Sequence, residues 1–227
     1  MPARSGGQKR TFTETARRAQ IVSAAIETIA EVGYGQASFA QIARRAGLSS
    51  TGLISYHFAS KDDLIEQVVD EVVTTGQAFM GPRIEAAQGA RSKLRAYLLS
   101  NLEFMASHWS HIVAVAEILS ALPGGPGGQP APYADWHERG IAQLQDLLRE
   151  GQRAGEFASF STRVMAVTIR AAIDAVGYQL AADRDFDLKT NARELAALFD
   201  RATGSGESAA TSRSQLTRPG HRPTRTR

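Results

Sequence analysis

Cysteine is missing altogether from the 227 residues. A disulfide framework and a thiolate-bound metal are thereby excluded, and a reducing compartment is the natural setting. No run of eighteen or more apolar residues occurs, and the opening MPARSGGQKR lacks the apolar stretch of a secretory signal. A soluble, cytoplasmic protein is expected. Strand-type alternation is absent too, so the expected fold is all-α. Also missing are a Ser or Cys nucleophile motif, a Gly-rich phosphate loop after a strand, and a paired-carboxylate pattern. The expectation is a protein that is not an enzyme and holds neither a cofactor nor a metal.

What is present is an uneven distribution of charge. Residues 1–61 carry eight Lys/Arg against three Asp/Glu, residues 62–203 thirteen against nineteen, and residues 204–227 five against one. A basic end beside an acidic body suggests that only the end meets a polyanion. Lysine and arginine contacts to phosphate supply most nonspecific affinity for DNA.

Residues 1–10 read as a flexible basic arm, and the Arg-rich, Pro-broken 204–227 as a disordered tail. Between them the helical signals are continuous. Ile21, Val22, Ala25, Ile26 and Ile29 predict a helix over 13–32, capped by Thr11 or Thr13 and ended by Gly33 and Gly35. In SFAQIARRAG a capping box of Ser38 and Gln41 opens a second, short helix that Gly47 closes. Ser49 or Ser50 is expected to cap a third over 51–57, and Ser60 with Asp63 a fourth that runs to Gly81-Pro82. Two short helices joined by a Gly-containing turn make a helix-turn-helix, so 11–60 is read as a DNA-binding domain.

The composition of SSTGLISYHFASKDDL follows from that geometry. The second helix of such a pair lies in the major groove with its first residues at base edges. Ser49, Ser50, Thr51 and Gly52 are small enough for close backbone approach. Leu53 or Ile54 anchors the helix, Tyr56 and His57 offer polar tips, and Phe58 plugs the core. Lys61 adds charge in the first turn of the next helix. Ser38, Gln41, Arg44 and Ser55 complete the candidate DNA-contacting set, with Arg10, Arg17, Arg18 and Arg45 as further phosphate candidates.

The run AQIARRAGLSSTGLISYHFASKDDL resembles the DNA-binding signature of the TetR family of transcriptional regulators. It has the A-x-x-A-G turn, a Ser-started recognition helix, a Tyr/His-Phe pair and S-K-x-x-L opening the next helix. The likeness covers about residues 13–65. It departs from the usual form at Ser55, which stands where an aromatic is common, and in a segment between Gly47 and Phe58 that is one residue longer.

The resemblance implies a helical ligand-binding and dimerisation domain over 61–203, with dimerisation through the last two long helices. Helices read at about 90–108, 110–121, 133–153, 161–182 and 188–203, interrupted by the loop PGGPGGQPAP at 123–132. The first of the last pair is apolar on more than one face, which requires burial on more than one side. The expected dimer face comprises Val164, Val167, Ala171, Ala175 and Tyr178 with Leu195, Leu198 and Phe199. Phe79, Met80, Phe104, Met105, Trp109, Tyr133 and Trp136 are candidate lining residues of a ligand cleft.

His108, His111 and His137 with Glu103 and Asp135 have the side-chain chemistry of metal ligands, but their spacing matches no metal motif. The reading is a homodimeric, sequence-specific DNA-binding regulator. Its expected behaviour is that of a repressor released from a palindromic operator by a small molecule. A ligand- or metal-sensing helical dimer with vestigial DNA binding is the alternative.

Overall fold

α1 (Phe12–Val32) exists because its apolar residues fall on one stripe, and Ile21, Ala25, Ile26 and Ile29 along it are sealed from solvent. It ends at Gly33, whose φ of 81° suits a glycine C-terminus. The computed structural model describes residues 12–121 and 131–204. The basic arm, Thr11, most of the Gly/Pro loop and the Arg-rich tail lie outside these residues.

Eight more helices follow among the described residues. They are α2 (Phe39–Arg45), α3 (Gly52–His57), α4 (Lys61–Glu85), α5 (Ala90–Ser107), α6 (Trp109–Ala121), α7 (Ala131–Arg153), α8 (Thr162–Ala182) and α9 (Leu188–Thr203). The fold is all-α, with a single isolated bridge between Phe157 and Gly204 among the described residues.

Three boundaries differ from expectation. α4 does not stop at Gly81-Pro82 but continues to Glu85 with Pro82 inside it. The proline forfeits one bond, to the carbonyl of Ala78, which sits on an exposed stretch where water can satisfy it. α7 begins at Ala131, two residues early. α3 is capped by neither Ser49 nor Ser50; Thr51 holds the cap position in an αR conformation and makes no side-chain capping bond.

Two buried clusters organise the chain. The first joins α1, α2 and α3 to α4 and α6 through Ile21, Ile29, Ile42, Ile54, Leu64 and Ile118. It continues across the expected 60/61 boundary without interruption. The second joins α5, α7, α8 and α9 through Leu98, Leu102, Leu148, Ile169, Ile173 and Phe199. Ile112 of α6 packs against both.

α8 is long and apolar enough, by length and composition, to cross a membrane. It packs on α5, α6, α7 and α9 and carries Arg170 and Asp174 at mid-length.

The turn after α7 ties the second cluster together. Glu156 accepts from the backbone N–H groups of Ala90 and Arg91 at 3.0 and 2.9 Å, closing the N-terminus of α5. These two bonds, that to Arg91 first, hold its carboxyl below the ordinary glutamate pKa. Next to it the Phe157 ring lies flat on Gly151 of α7. A Cβ at Gly151 would come within 2.1 Å of that ring and 2.9 Å of Ala90. Gly151→Ala is therefore expected to destabilise the fold by about 1–3 kcal/mol through overpacking, read by urea unfolding. An unchanged midpoint would show that Phe157 is free to move.

Candidate nucleic-acid interface and interior cavity

α3 has six residues, too few to be stable by itself. Tertiary contacts hold it instead. Ile54 is fully buried and Phe58, just past its end, is 1% exposed. Burying two such side chains contributes roughly 1.5–3 kcal/mol each.

Beneath Phe58 lies Arg18 of α1, its guanidinium 4.1 Å from the ring centroid. Arg18 also donates to the carbonyl of His57 and, at 3.3 Å, to Oε1 of Gln67 on α4. Expected as a phosphate contact, Arg18 is a buried clamp on the C-terminus of α3. Its position on the same helical stripe as Ile21, Val22 and Ala25 was the available signal.

The loop between α2 and α3 turns at Gly47, φ 63°, a left-handed conformation that a β-carbon disfavours. This turn and the two anchors aim the other face of α3 outward. Ser49, Ser50, Thr51, Gly52, Leu53, Ser55 and Tyr56 are all exposed, Tyr56 at 76%. His57 is half-buried, edge-on to Tyr56 at 5.0 Å, and its Nδ1 is buried without a hydrogen-bond partner.

Ser38 and Gln41 form the expected capping box. The Ser38 hydroxyl accepts from the Gln41 N–H, and Gln41 Oε1 accepts from the Ser38 N–H at 2.9 Å. Arg44 is exposed beside them. Arg45 is drawn back to α1 by ion pairs with Glu27, at 3.4 Å, and with Glu31. Ser60 and Asp63 cap α4 as expected, and Asp63 Oδ2 accepts from the N–H of Ala59 at 2.8 Å. Lys61 is half-buried, with Nζ 4.5 Å above the Tyr34 ring and donating to the Tyr34 carbonyl at 3.3 Å. The Tyr34 N–H reaches Glu117 of α6 at 3.4 Å.

The profile of bacterial regulatory proteins of the tetR family matches residues 21–68, which span α1 from its midpoint through the first two turns of α4. Over residues 21–68 the chain is similar to the DNA-binding region of that family.

One similar curated protein is HTH-type transcriptional regulator BetI 1 of Chromohalobacter salexigens. It is 36% identical over 88 residues, or 38% of this chain and 43% of that protein. The matched stretch thus spans less than half of that relative.

Two solved structures share the fold over most of the chain. One is FadR of Bacillus subtilis in complex with stearoyl-CoA, with TM-score 0.70 and 23% identity over 79% of this chain and 96% of that one. The other is a transcriptional regulator from Saccharomonospora viridis in complex with choline, with TM-score 0.69 and 22% identity over 85% and 100%.

Behind the helix-turn-helix, α4, α5, α6, α7 and α8 border a half-open cavity of about 90 Å³. Of the expected lining residues, Met80, Phe104, Met105 and Trp136 border it. Phe79 instead packs at a tilt against Phe104, ring centroids 5.7 Å apart, under the Arg83 guanidinium. Trp109 does not line the cavity. It faces an outer cleft between α1 and the α5–α6 junction, beneath Arg184, because α5 ends at Ser107 and the chain turns at His108. The side chain of Tyr133 lies outside the described residues.

Sequence reasoning missed the polar part of the cavity. Arg170 is only 7% exposed and its Nε donates to Asp174 Oδ1 at 3.0 Å. His137 Nε2 stands 3.2 Å from Asp174 Oδ2. Burial pushes the Asp174 carboxyl up, but Arg170 and His137 together outweigh it and hold the carboxyl below its ordinary pKa. Asp174 is therefore an anion in this pair. The i, i+4 spacing on one helix was the only signal.

His108 and His111 meet edge to face at 5.4 Å. Among the described residues no group of three or more His, Cys, Asp or Glu is placed to hold a metal.

The expected dimer face is partly exposed in one chain. Val164, Val167, Ala171, Ala175 and Tyr178 form an outward stripe along α8, with Leu198 of α9 beside it. Phe199 departs from expectation: at 3% exposure it belongs to the protomer's own core, and Leu195 is half-buried against that core. The helical periodicity of α9 does not say which of two apolar flanks turns inward. Tyr178 also borders the cavity.

Two glycines keep the cavity open. A Cβ at Gly76 would meet Phe104 at 3.5 Å, and one at Gly177 would meet Met105 at 3.6 Å, both ordinary contacts. Each mid-helix glycine costs roughly 0.5–1 kcal/mol relative to alanine. Gly177→Ala is accordingly expected to stabilise the protein by about that amount while reducing the cavity, read by thermal melting. A lower melting temperature would mean that α8 needs the close approach more than the space.

Proposed function

We propose that the chain is a homodimeric transcriptional repressor. α3 reads the major groove of a palindromic operator, and a small molecule bound in the interior cavity releases it. The observation that carries this reading is the outward face of α3, held rigid by Ile54, Phe58 and Arg18. An exposed row of Ser, Thr, Gly and Tyr on a helix clamped from behind suits base and phosphate contact.

Ser49, Ser50, Thr51, Gly52, Ser55, Tyr56 and His57 would meet DNA from α3, with Arg44 and Lys61 flanking them. Ser38 and Gln41 would contribute mainly by fixing the start of α2. The unpartnered stripe on α8 and α9 supports the two-fold partner, since an exposed apolar patch of this kind marks an interface. With two copies, half-sites would repeat on the order of 34–36 Å apart or a multiple.

α4 links the two ends of the mechanism. Val72, Gly76 and Met80 border the cavity, while Ser60, Lys61 and Asp63 abut α3. α6 offers a parallel connection: Val115 and Leu119 border the cavity, and Glu117 touches the Tyr34 turn that holds Lys61. A ligand preferring one setting of these helices would shift the spacing of the reading heads, and only that differential affinity can drive the shift. That the two structural neighbours are in complex with stearoyl-CoA and with choline supports a small-molecule ligand for this chain.

Selection of genomic fragments by the purified protein near physiological salt, followed by footprinting, tests the reading. A protected palindrome is expected; retention that is salt-sensitive but blind to sequence would overturn it. Lys61→Ala should weaken binding to all duplexes and reduce the salt slope by about one unit. Thr51→Ala should instead relax preference at one operator position by about 1–3 kcal/mol. An unchanged slope removes Lys61 from the phosphate contacts, and uniform loss with Thr51→Ala assigns that residue to the backbone.

A further inference from the structure

Arg170 stands in the wall between two spaces. On one side is the apolar cavity beside Gly76, Phe104 and Gly177; on the other is an outer groove of about 840 Å³ between α4, α5 and α7. Met80 and Trp136 share that wall, and the Arg170 guanidinium lies 5.2 Å from the Trp136 ring. Arg170 thus puts a cation at the border the two spaces share, with hydrocarbon on the cavity side.

The ion pair at the neck is asymmetric. The Arg170 side chain is 8% exposed and that of Asp174 23%. A buried guanidinium cannot be left without a counter-charge. Asp174 is better placed to be released, because it keeps His137 at 3.2 Å and a share of solvent. An incoming carboxylate can therefore take over the guanidinium in a charge-for-charge exchange. An incoming cation would have to compete with Arg170 for Asp174, weakening the pair that neutralises a buried guanidinium.

We infer that the cavity takes a small organic anion, a short-chain carboxylic acid or close analogue. Its carboxylate replaces Asp174 on Arg170, and its alkyl part fills the space beside Gly76 and Gly177. The size of the alkyl part follows from the volume: about 90 Å³ is below the ~150 Å³ of an engineered cavity that accepts benzene. Met80 and Met105 on its wall are unbranched and adaptable, so a few more carbons can be accommodated. Release of Asp174 also alters the α7–α8 contact through His137, which gives binding a structural consequence. The inference rests on the reading of this cavity as the effector site.

Calorimetric titration of the full chain with butanoate, hexanoate and octanoate, and with hexanol and hexyltrimethylammonium as matched controls, tests it. One of the acids should bind about tenfold or more tightly than either control, as a charge-assisted hydrogen bond requires. Arg170→Gln should abolish that preference. Asp174→Asn should tighten acid binding, since the internal competitor is gone; this variant keeps the test decisive if Arg170→Gln does not fold.

Tighter binding of the ammonium, weaker acid binding by Asp174→Asn, or no heat with any acid up to millimolar concentration would overturn the inference. Repeating the titration with operator duplex present separates the two readings. Acid binding without effect on DNA would leave the inference standing and remove the regulatory role. Release by the ammonium alone would do the reverse.

Discussion

A six-residue helix must be held by something other than itself, and that requirement shapes the rest of the molecule. α3 can present its outer face only because Ile54, Phe58 and the buried Arg18 secure its inner face and its end. Arg18 belongs to α1 and reaches Gln67 of α4, so the clamp already spans three helices. The core beneath it continues through Leu64, Val68 and Val72 to Phe104 and Ile118. The outward-facing edge and the body are therefore packed as one object rather than strung together.

That continuity places the cavity where it matters. α4 is 25 residues long, about 37 Å at the helical rise, and it touches α3 at one end and the cavity near its middle. Because packed interiors resist continuous deformation, the proposed ligand would act by shifting whole helices. Glycine at 76 and 177, where alanine fits, leaves space beside Phe104 and Met105 at a cost in helix stability. The Arg170–Asp174 pair fits the same pattern, since buried ion pairs are weak contributors to stability.

How much of this was legible in the sequence depends on the range of the signal. The capping box at Ser38/Gln41, the Ser60 cap on Asp63, the Gly33 and Gly47 turns, and the apolar stripe of α1 are local, and each is readable from neighbours within four residues. The helix-turn-helix geometry gave the expectation that Ser50, Thr51 and Tyr56 face outward, and all three are exposed in the structure. What could not be read depends on partners distant in sequence. Arg18 looked like one more basic residue because Phe58 and Gln67, its partners, are 40 and 49 residues away. Trp109 is assigned by residue type and Phe199 by the apolar stripe of its helix, whereas a chain turn at His108 and the rotation of α9 decide where they point. The polar neck of the cavity was invisible because arginine and aspartate four apart on a helix usually lie in water.

The most direct measurement is the distance between the two reading heads. The absence of cysteine allows a single nitroxide at Gln36→Cys, an exposed position in the turn between α1 and α2, without further substitution. Pulsed electron paramagnetic resonance on the operator-bound protein should give one narrow distance distribution. Saturating the cavity with a bound acid should shift that distribution as the protein leaves the DNA. A complete lack of dipolar coupling would contradict the two-fold dimer, and a distribution indifferent to both DNA and ligand would contradict the mechanical link between cavity and α3.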